Sequence, residues 1–254
     1  MGDLIQIHNL SKQYRRFSTD HAWTLQESLL HGWRQWRQPA RFYALRDISC
    51  SVAPGEMLGV IGHNGAGKST LLSLMGGLGR PDEGSIEMLG AVRGLLDLGA
   101  GFHPELTGRE NAFVSGIVSG LTRRQVKQQF DAIVAFAELE DAIDQPLRTF
   151  STGMATRLAF SIAVHTSPDI LLVDEVLAVG DTAFQQKCLQ RIADIRKAGC
   201  AIVFVSHEMS LVANTCTRAL WLDHGVVQEY GPPKAVVDHY LARLNSRIQS
   251  ASAA

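Results

Sequence analysis

Long apolar runs are missing from this 254-residue chain, and no stretch approaches the roughly 18 residues that a membrane-spanning helix needs. The most apolar segment, Ile170 to Val179, carries Asp174 and Glu175 in its middle. The N-terminus from Met1 to Lys12 lacks the basic head and apolar stretch of a signal peptide. Gln6 stands where an N-myristoylation pattern requires Ser or Thr. Such a chain is expected in the cytosol unless a partner holds it at a membrane. Cysteine is scarce: Cys50, Cys188, Cys200 and Cys216 form no CxxC pair, which argues against a disulfide framework or a zinc site and for reduced thiols. Charge of one sign is not in excess, since 24 Lys+Arg against 25 Asp+Glu leave −1. That balance argues against a broad electrostatic nucleic-acid binder. No internal repeat stands out. What is abundant is core material, 46 % hydrophobic residues, which excludes wholesale disorder and suits one large domain or two small ones.

Pattern and punctuation predict strands at Leu4–Ile7, Ala44–Val52 and Met57–Ile61, the last two joined by the turn Ala53-Pro54-Gly55-Glu56. The turn Arg80-Pro81-Asp82-Glu83-Gly84 precedes a strand at Ser85–Leu89. Residues from about 105 to 166 read as helical, with capping boxes at Thr107/Glu110 and Thr122/Gln125. Further strands are expected at Ile170–Val173, Ala201–Ser206, Ala219–Leu222 and Val226–Tyr230. Asp223-His224-Gly225 is a hairpin signal between the last two. Amphipathic helices are expected at Thr182–Lys197, stopped by Gly199, and at Pro233–Leu244, with a frayed, flexible tail over 246–254. Strands alternating with helices indicate an α/β core.

The chemistry is concentrated in three segments. Gly62-His63-Asn64-Gly65-Ala66-Gly67-Lys68-Ser69-Thr70 fits G-x-x-x-x-G-K-[ST] between an apolar strand and a helix, the context that motif requires. The glycines let several N–H groups converge on one anion, and the helix N-terminus adds partial positive charge. Lys68 is placed to reach β- and γ-phosphates, and Ser69 to offer a hydroxyl to Mg²⁺. The apolar strand Ile170–Val173 delivers two carboxylates, Asp174 to hold Mg²⁺ and Glu175 to polarise an attacking water. His207 follows a third buried strand, within reach of a γ-phosphate.

In this order the three segments resemble the Walker A, Walker B and switch-histidine motifs of the nucleotide-binding subunits of ABC transporters, over about residues 4–230. The resemblance implies a P-loop NTPase (RecA-like) core with an antiparallel β-subdomain and an inserted α-helical subdomain. It implies an ABC ATPase domain over 1–245, with the cofactors ATP and Mg²⁺. The family's signature loop is matched by Phe150-Ser151-Thr152-Gly153-Met154, where Ser151, Thr152 and Gly153 stand at the positions that close over the ATP of an opposing subunit in a head-to-tail homodimer. Met154 replaces the usual Gln. Asp181 resembles the D-loop aspartate, within an altered surrounding sequence. Tyr14 resembles the aromatic residue that stacks on adenine, with simple packing after a strand as the alternative. One element departs from the pattern: no Gln occurs from Leu95 to Asn111, where the Q-loop glutamine belongs, and Asp97 is the polar group nearest to that place.

Residues 15–41, between Tyr14 and Tyr43, hold three of the four tryptophans (Trp23, Trp33, Trp36) and five arginines. This insertion, the altered signature and the stretch from Leu95 to Asn111 together look like the subunits that power export of lipid-linked polysaccharides such as O-antigens, capsules and teichoic acids. A helix rich in Trp and Arg suits a membrane interface, and equally a lid packed on the nucleotide lobe. The resemblance implies an ATPase at the cytoplasmic face of the inner membrane. Its partners are a separate transmembrane permease and a lipid-linked polysaccharide, with no nucleic acid. Some members of this group carry a C-terminal carbohydrate-binding β-domain, which is not expected here, with about ten residues following Leu244. The alternative from another class is a soluble ABC ATPase acting as a mechanical switch on DNA or ribosomes.

Overall fold

The structure, a computed structural model, describes residues 2–15, 41–95, 101–174 and 180–252. Nine strands form two sheets, and seven α-helices are present among the described residues. Residues 16–40 of the insertion, residues 96–100 of the Q-loop stretch with Asp97, and Glu175 lie outside the described residues.

The larger sheet contains β5 (Val92–Leu95), β6 (Ile170–Asp174), β7 (Ala201–Val205), β3 (Met57–Ile61), β8 (Arg218–Asp223) and β9 (Val226–Gly231), in that spatial order. Its first five strands run parallel, and β9 returns antiparallel to β8. β3 and β7 are buried at every position, as expected of parallel strands covered on both faces. The register matters for function. Val60 on β3 pairs with Val205 on β7, and Val205 pairs with Asp174 on β6. The phosphate loop, Asp174 and the segment leading to His207 therefore leave the same carboxyl edge of the sheet, where open α/β sheets bind ligands.

The smaller sheet has the order β2-β1-β4, built from β1 (Ile5–Arg15), β2 (Arg41–Val52) and β4 (Glu83–Met88), all antiparallel. β1 is longer than the predicted Leu4–Ile7. Register shifts between Ile7 and Gln13 and a left-handed Asn9 (φ 47°) break the two-residue alternation that reveals a strand in sequence. β2 likewise starts at Arg41 rather than Ala44, and Arg15 pairs with Arg41, so the 16–40 segment leaves and returns at adjacent ladder positions.

Helix α1 (Lys68–Met75) follows the phosphate loop. α2 (Gly108–Val118), α3 (Arg123–Ala137) and α4 (Thr152–Val164) make the helical subdomain, and both predicted capping boxes are formed. Ala112, Phe130, Ile133, Leu158 and Ile162 fill its own core. α4 also presents Phe160 and Val164 to the core beneath the main sheet, against Phe184 of α5 (Thr182–Lys197), so this one helix belongs to both cores. α6 (Met209–Thr215) and α7 (Pro233–Ser252) complete the chain. α7 runs past Leu244 to Ser252, into the 246–254 stretch expected as a flexible tail. That stretch contains neither Gly nor Pro, and Arg, Gln and Ala sustain a helix already begun. The four cysteines are buried and free, as their spacing suggested.

Phe160 is fully buried, with Phe136 6.2 Å and Phe184 6.4 Å away between ring centroids. Phe160→Ala is expected to cost about 3–5 kcal/mol, read as a lower midpoint in chemical denaturation. A change under about 1 kcal/mol would show that α4 does not couple the two cores.

Candidate nucleotide site

The phosphate loop begins where β3 ends. Two of its glycines are there because backbones touch: a Cβ at Gly62 (φ 150°) would strike the carbonyl of Leu222, and one at Gly67 (φ 107°) would lie 2.6 Å from the carbonyl oxygen of Ala44. The loop is thus pressed against β8 on one side and the start of β2 on the other. Lys68 is almost wholly buried, and its ammonium donates to the carbonyls of Gly62 (2.8 Å) and His63 (3.1 Å). Those bonds hold the charge across the mouth of the loop, over the first turn of α1.

The start of α1 differs from those of the four helices that follow it. Thr107, Thr122, Ser151 and Asp181 cap α2, α3, α4 and α5 through their side chains. α1 is instead opened by Gly67 with no side-chain cap and no acidic residue in its first turn. The first-turn N–H groups of a helix have no partner within it. An anion on this loop supplies that partner, with Lys68 as its counter-charge.

Beside the loop lies an open cleft of about 450 Å³. Its floor is Gly65, Gly67, Lys68, Ser69 and Thr70, and its wall is Tyr14, Phe42, Tyr43 and His224. Tyr14, Phe42 and Tyr43 are each more than 40 % exposed, an unusual cost for three aromatics unless a flat ligand covers them. Tyr14 and Phe42 are ladder partners with ring centroids 6.2 Å apart. Phe42, Tyr43 and His224 were missed as cleft residues in the sequence. The available signal was that Tyr14 and the Phe42-Tyr43 pair flank one insertion, so a hairpin across it sets them side by side. The size and lining fit a nucleotide, with a triphosphate on the loop and a base on the aromatic wall.

His63 behaves differently from the rest of the loop. Its side chain turns away from the cleft floor, with Nε2 3.0 Å from Asp223 Oδ1 and the ring 4.7 Å from that of His224. Within the loop, only its backbone is placed to serve a phosphate. Asp174 closes β6, and His207 is exposed two residues beyond β7, both on the loop's side of the sheet.

Ser151, Thr152, Gly153 and Asp181 do not line this cleft. Ser151 caps α4, accepting from Met154 N at 3.2 Å, and its hydroxyl proton remains available to an outside acceptor. Among the described residues nothing but Ser151 Oγ lies within 4 Å of a Cβ built on Gly153, which leaves room for an approaching surface. Asp181 caps α5 through Phe184 N (2.9 Å) and pairs with Arg157 of α4 (2.9 Å). Arg157 also holds Glu138 (2.8 Å), which Lys187 of α5 reaches at 3.0 Å. The signature-like helix is therefore tied to α5 by a small ion network.

The ABC transporter family's sequence model matches residues 45–178. The chain belongs to the ABC transporter family. It is 42 % identical over 255 residues to an O-antigen export system ATP-binding protein of Myxococcus xanthus, covering 98 % of this chain and 58 % of that protein. It is 41 % identical over 243 residues to a protein of the same description from Klebsiella pneumoniae, covering 94 % and 98 %. The chain thus spans less than two thirds of the first relative and nearly all of the second. A solved dimeric ATP-binding cassette in a post-hydrolysis state, bound to ADP and Pi, superposes with TM-score 0.71 at 20 % identity over 90 % of this chain and 98 % of that one, a likeness of fold.

The ion network yields a pH test. The Asp181 carboxyl is held below its ordinary range, first by the Phe184 N–H and further by Arg157, and Glu138 likewise, first by its bond to Lys187. Groups with depressed folded pKa stabilise above their ordinary values and cease to as pH falls through the folded ones. Asp181→Asn keeps the cap and removes the charge. Its melting temperature should fall below wild type at pH 7, and the gap should narrow at an acid pH below the ordinary carboxylate range. An equal gap at both pH values would rule out the ionic contribution.

Proposed function

We propose that the chain is the ATP-binding and -hydrolysing subunit of an ABC exporter that drives a lipid-linked, O-antigen-like polysaccharide across the cytoplasmic membrane. The observation that carries this reading is the phosphate loop and its uncapped helix beside an aromatic-walled cleft, in a chain that aligns almost end to end with an O-antigen export ATP-binding protein. ATP with Mg²⁺, when bound, supplies the phosphoanhydride bond whose cleavage powers the cycle. The backbone amides of Gly62, His63, Asn64, Gly65, Ala66 and Gly67, with those of Lys68, Ser69 and Thr70, cradle the phosphates. The Lys68 ammonium neutralises the β- and γ-oxygens, and Tyr14, with Phe42 and Tyr43 beside it, receives the adenine. The Ser69 hydroxyl and Asp174 carboxylate hold Mg²⁺, Glu175 accepts a proton from the attacking water, and His207 donates to the γ-phosphate.

Ser151, Thr152, Gly153 and Asp181 lie outside the chain's own cleft, which supports a homodimer in which they meet the other copy's nucleotide. No helix among the described residues is long and apolar enough to cross a membrane. A separate permease subunit therefore provides the path and holds the ATPase at the cytoplasmic face of the inner membrane. The substrate reaches it there, and nucleic acid is not a partner.

Glu175→Gln keeps shape and removes the base. Turnover by the purified protein should fall by about 10²–10⁴ while ATP binding survives and a dimer accumulates in ATP. Undiminished ATPase activity would overturn the role of Glu175. Composite sites are tested by mixing Ser151→Arg with Lys68→Ala chains. Each mixed dimer carries both lesions in one site and leaves the other intact, so partial hydrolysis should return, together with a crosslink from residue 151 to the opposing phosphate loop. Absence of that crosslink would refute the paired arrangement. Affinity-tagged chain should bring down an integral membrane protein from solubilised membranes, and capture of none would refute the exporter reading.

A further inference from the structure

Behind the phosphate loop, residues 63, 223 and 224 bring two imidazoles and a carboxylate together. One potential ligand atom from each of His63, Asp223 and His224 lies within 4.8 Å of the others. Asp223 is buried, His63 Nε2 stands 3.0 Å from its Oδ1, and His224 Nε2 stands 3.8 Å from the same oxygen. Ligands around a tetrahedral zinc at bonds of about 2.0–2.1 Å are themselves about 3.3 Å apart, close to these separations.

The tautomer of His63 gives the cluster its meaning. Nδ1 is 2.6 Å from the carbonyl oxygen of Asn64, which can only accept, so Nδ1 carries the proton and donates. In the neutral ring Nε2 is then a bare lone pair, facing a carboxylate oxygen. Nε2 is buried and makes no hydrogen bond among the described residues, because the contact with Asp223 is close but poorly aligned for one. Two acceptors held face to face at this distance leave a place for a cation between them. A histidine that donates one ring N–H to a backbone carbonyl and aims the other nitrogen at the cluster has the arrangement usual for metal-ligating imidazole.

The surroundings agree. Arg243 Nη2 lies 3.9 Å from the other oxygen, Oδ2, a cation on the far side of the carboxylate. A cavity of about 20 Å³ adjoins His63 and Asp223, room for one water as a fourth ligand. His224 holds a left-handed backbone (φ 50°) at the tip of the β8–β9 hairpin, a conformation unfavourable for a residue other than Gly, Asn or Asp. The cysteine count, which argued against zinc, does not bear on a site made of His and Asp.

We propose that His63, Asp223 and His224 form a site for a divalent transition metal of the zinc class, separate from the Mg²⁺ site assigned to Ser69 and Asp174. A metal there ties the second residue of the phosphate loop to the hairpin whose tip borders the nucleotide cleft. Other zinc-binding chemistry in the described residues is weak, since burial pushes all four cysteine thiols up to about 12.

The test uses the full chain without nucleotide or Mg²⁺. Zn²⁺ binding is measured by equilibrium dialysis, and Co²⁺ binding by its visible absorption. One metal should bind per chain, with Co²⁺ giving the spectrum of a low-coordinate nitrogen/oxygen site. His224→Asn, which suits the left-handed position, and His63→Ala should each weaken binding by about tenfold or more. Asp174→Asn and His207→Ala should leave it unchanged. Circular dichroism confirms folding, and His224→Asn, at an exposed turn, carries the test if a buried variant fails to fold. Absence of stoichiometric binding, full binding by His224→Asn, or loss in Asp174→Asn would overturn the proposal.

Discussion

Three backbones meet without side chains between them at the base of the nucleotide cleft. Gly67 lies against the carbonyl of Ala44, Gly225 lies against the same carbonyl from the hairpin, and Gly225 N donates to Ala66 O at 2.9 Å. Arg46 N adds a bond to Gly225 O at 2.7 Å. Any side chain at these glycines would push the phosphate loop, the small sheet and the hairpin apart. The loop's curvature, the position of Lys68 inside it and the aromatic wall over it all depend on that contact. The P-loop is therefore more than a local turn: its shape is set by Ala44 of β2, 23 residues before Gly67, and by a hairpin residue, Gly225, 158 residues after it.

This explains what was legible in the sequence. The phosphate loop, the capping boxes at Thr107 and Thr122 and the hairpin at Asp223-His224-Gly225 are local patterns, and each formed as read. So did the buried strands β6 and β7, whose unbroken apolar runs end at Asp174 and before His207. Less was legible where distance decides. β1 runs eight residues beyond Ile7 because β2 and β4 pair with it through irregular register, which no alternation announces. The side chain of His63 sits in the most recognisable motif of the chain and yet points out of it, toward Asp223, 160 residues away. A motif fixes where a backbone goes, and says little about side chains at its variable positions.

The helical subdomain shows a similar division of labour. Its interior is its own, but α4 reaches beneath the main sheet through Phe160 and Val164, and Arg157 clamps Glu138 and Asp181 at once. Arg157 also lies over the Phe184 ring at 4.6 Å. One side chain thus reports the orientation of α4 to the N-terminus of α5. The residues just before α5 follow β6 directly, so movement of the signature-like end of α4 is mechanically close to the carboxylate strand.

The pairing of Arg15 with Arg41 has a consequence for how such chains diversify. A segment that departs and returns on one rung of a ladder closes a loop whose ends are already held together. Doubling its length adds only about 0.6 kcal/mol of closure entropy. The two rungs beside that closure are Tyr14–Phe42 and Gln13–Tyr43, the wall of the nucleotide cleft. The hairpin is thus a socket: its contents can be exchanged at little thermodynamic cost to the fold, while whatever is plugged in begins two residues after the aromatic ring assigned to the base and ends two residues before that ring's ladder partner.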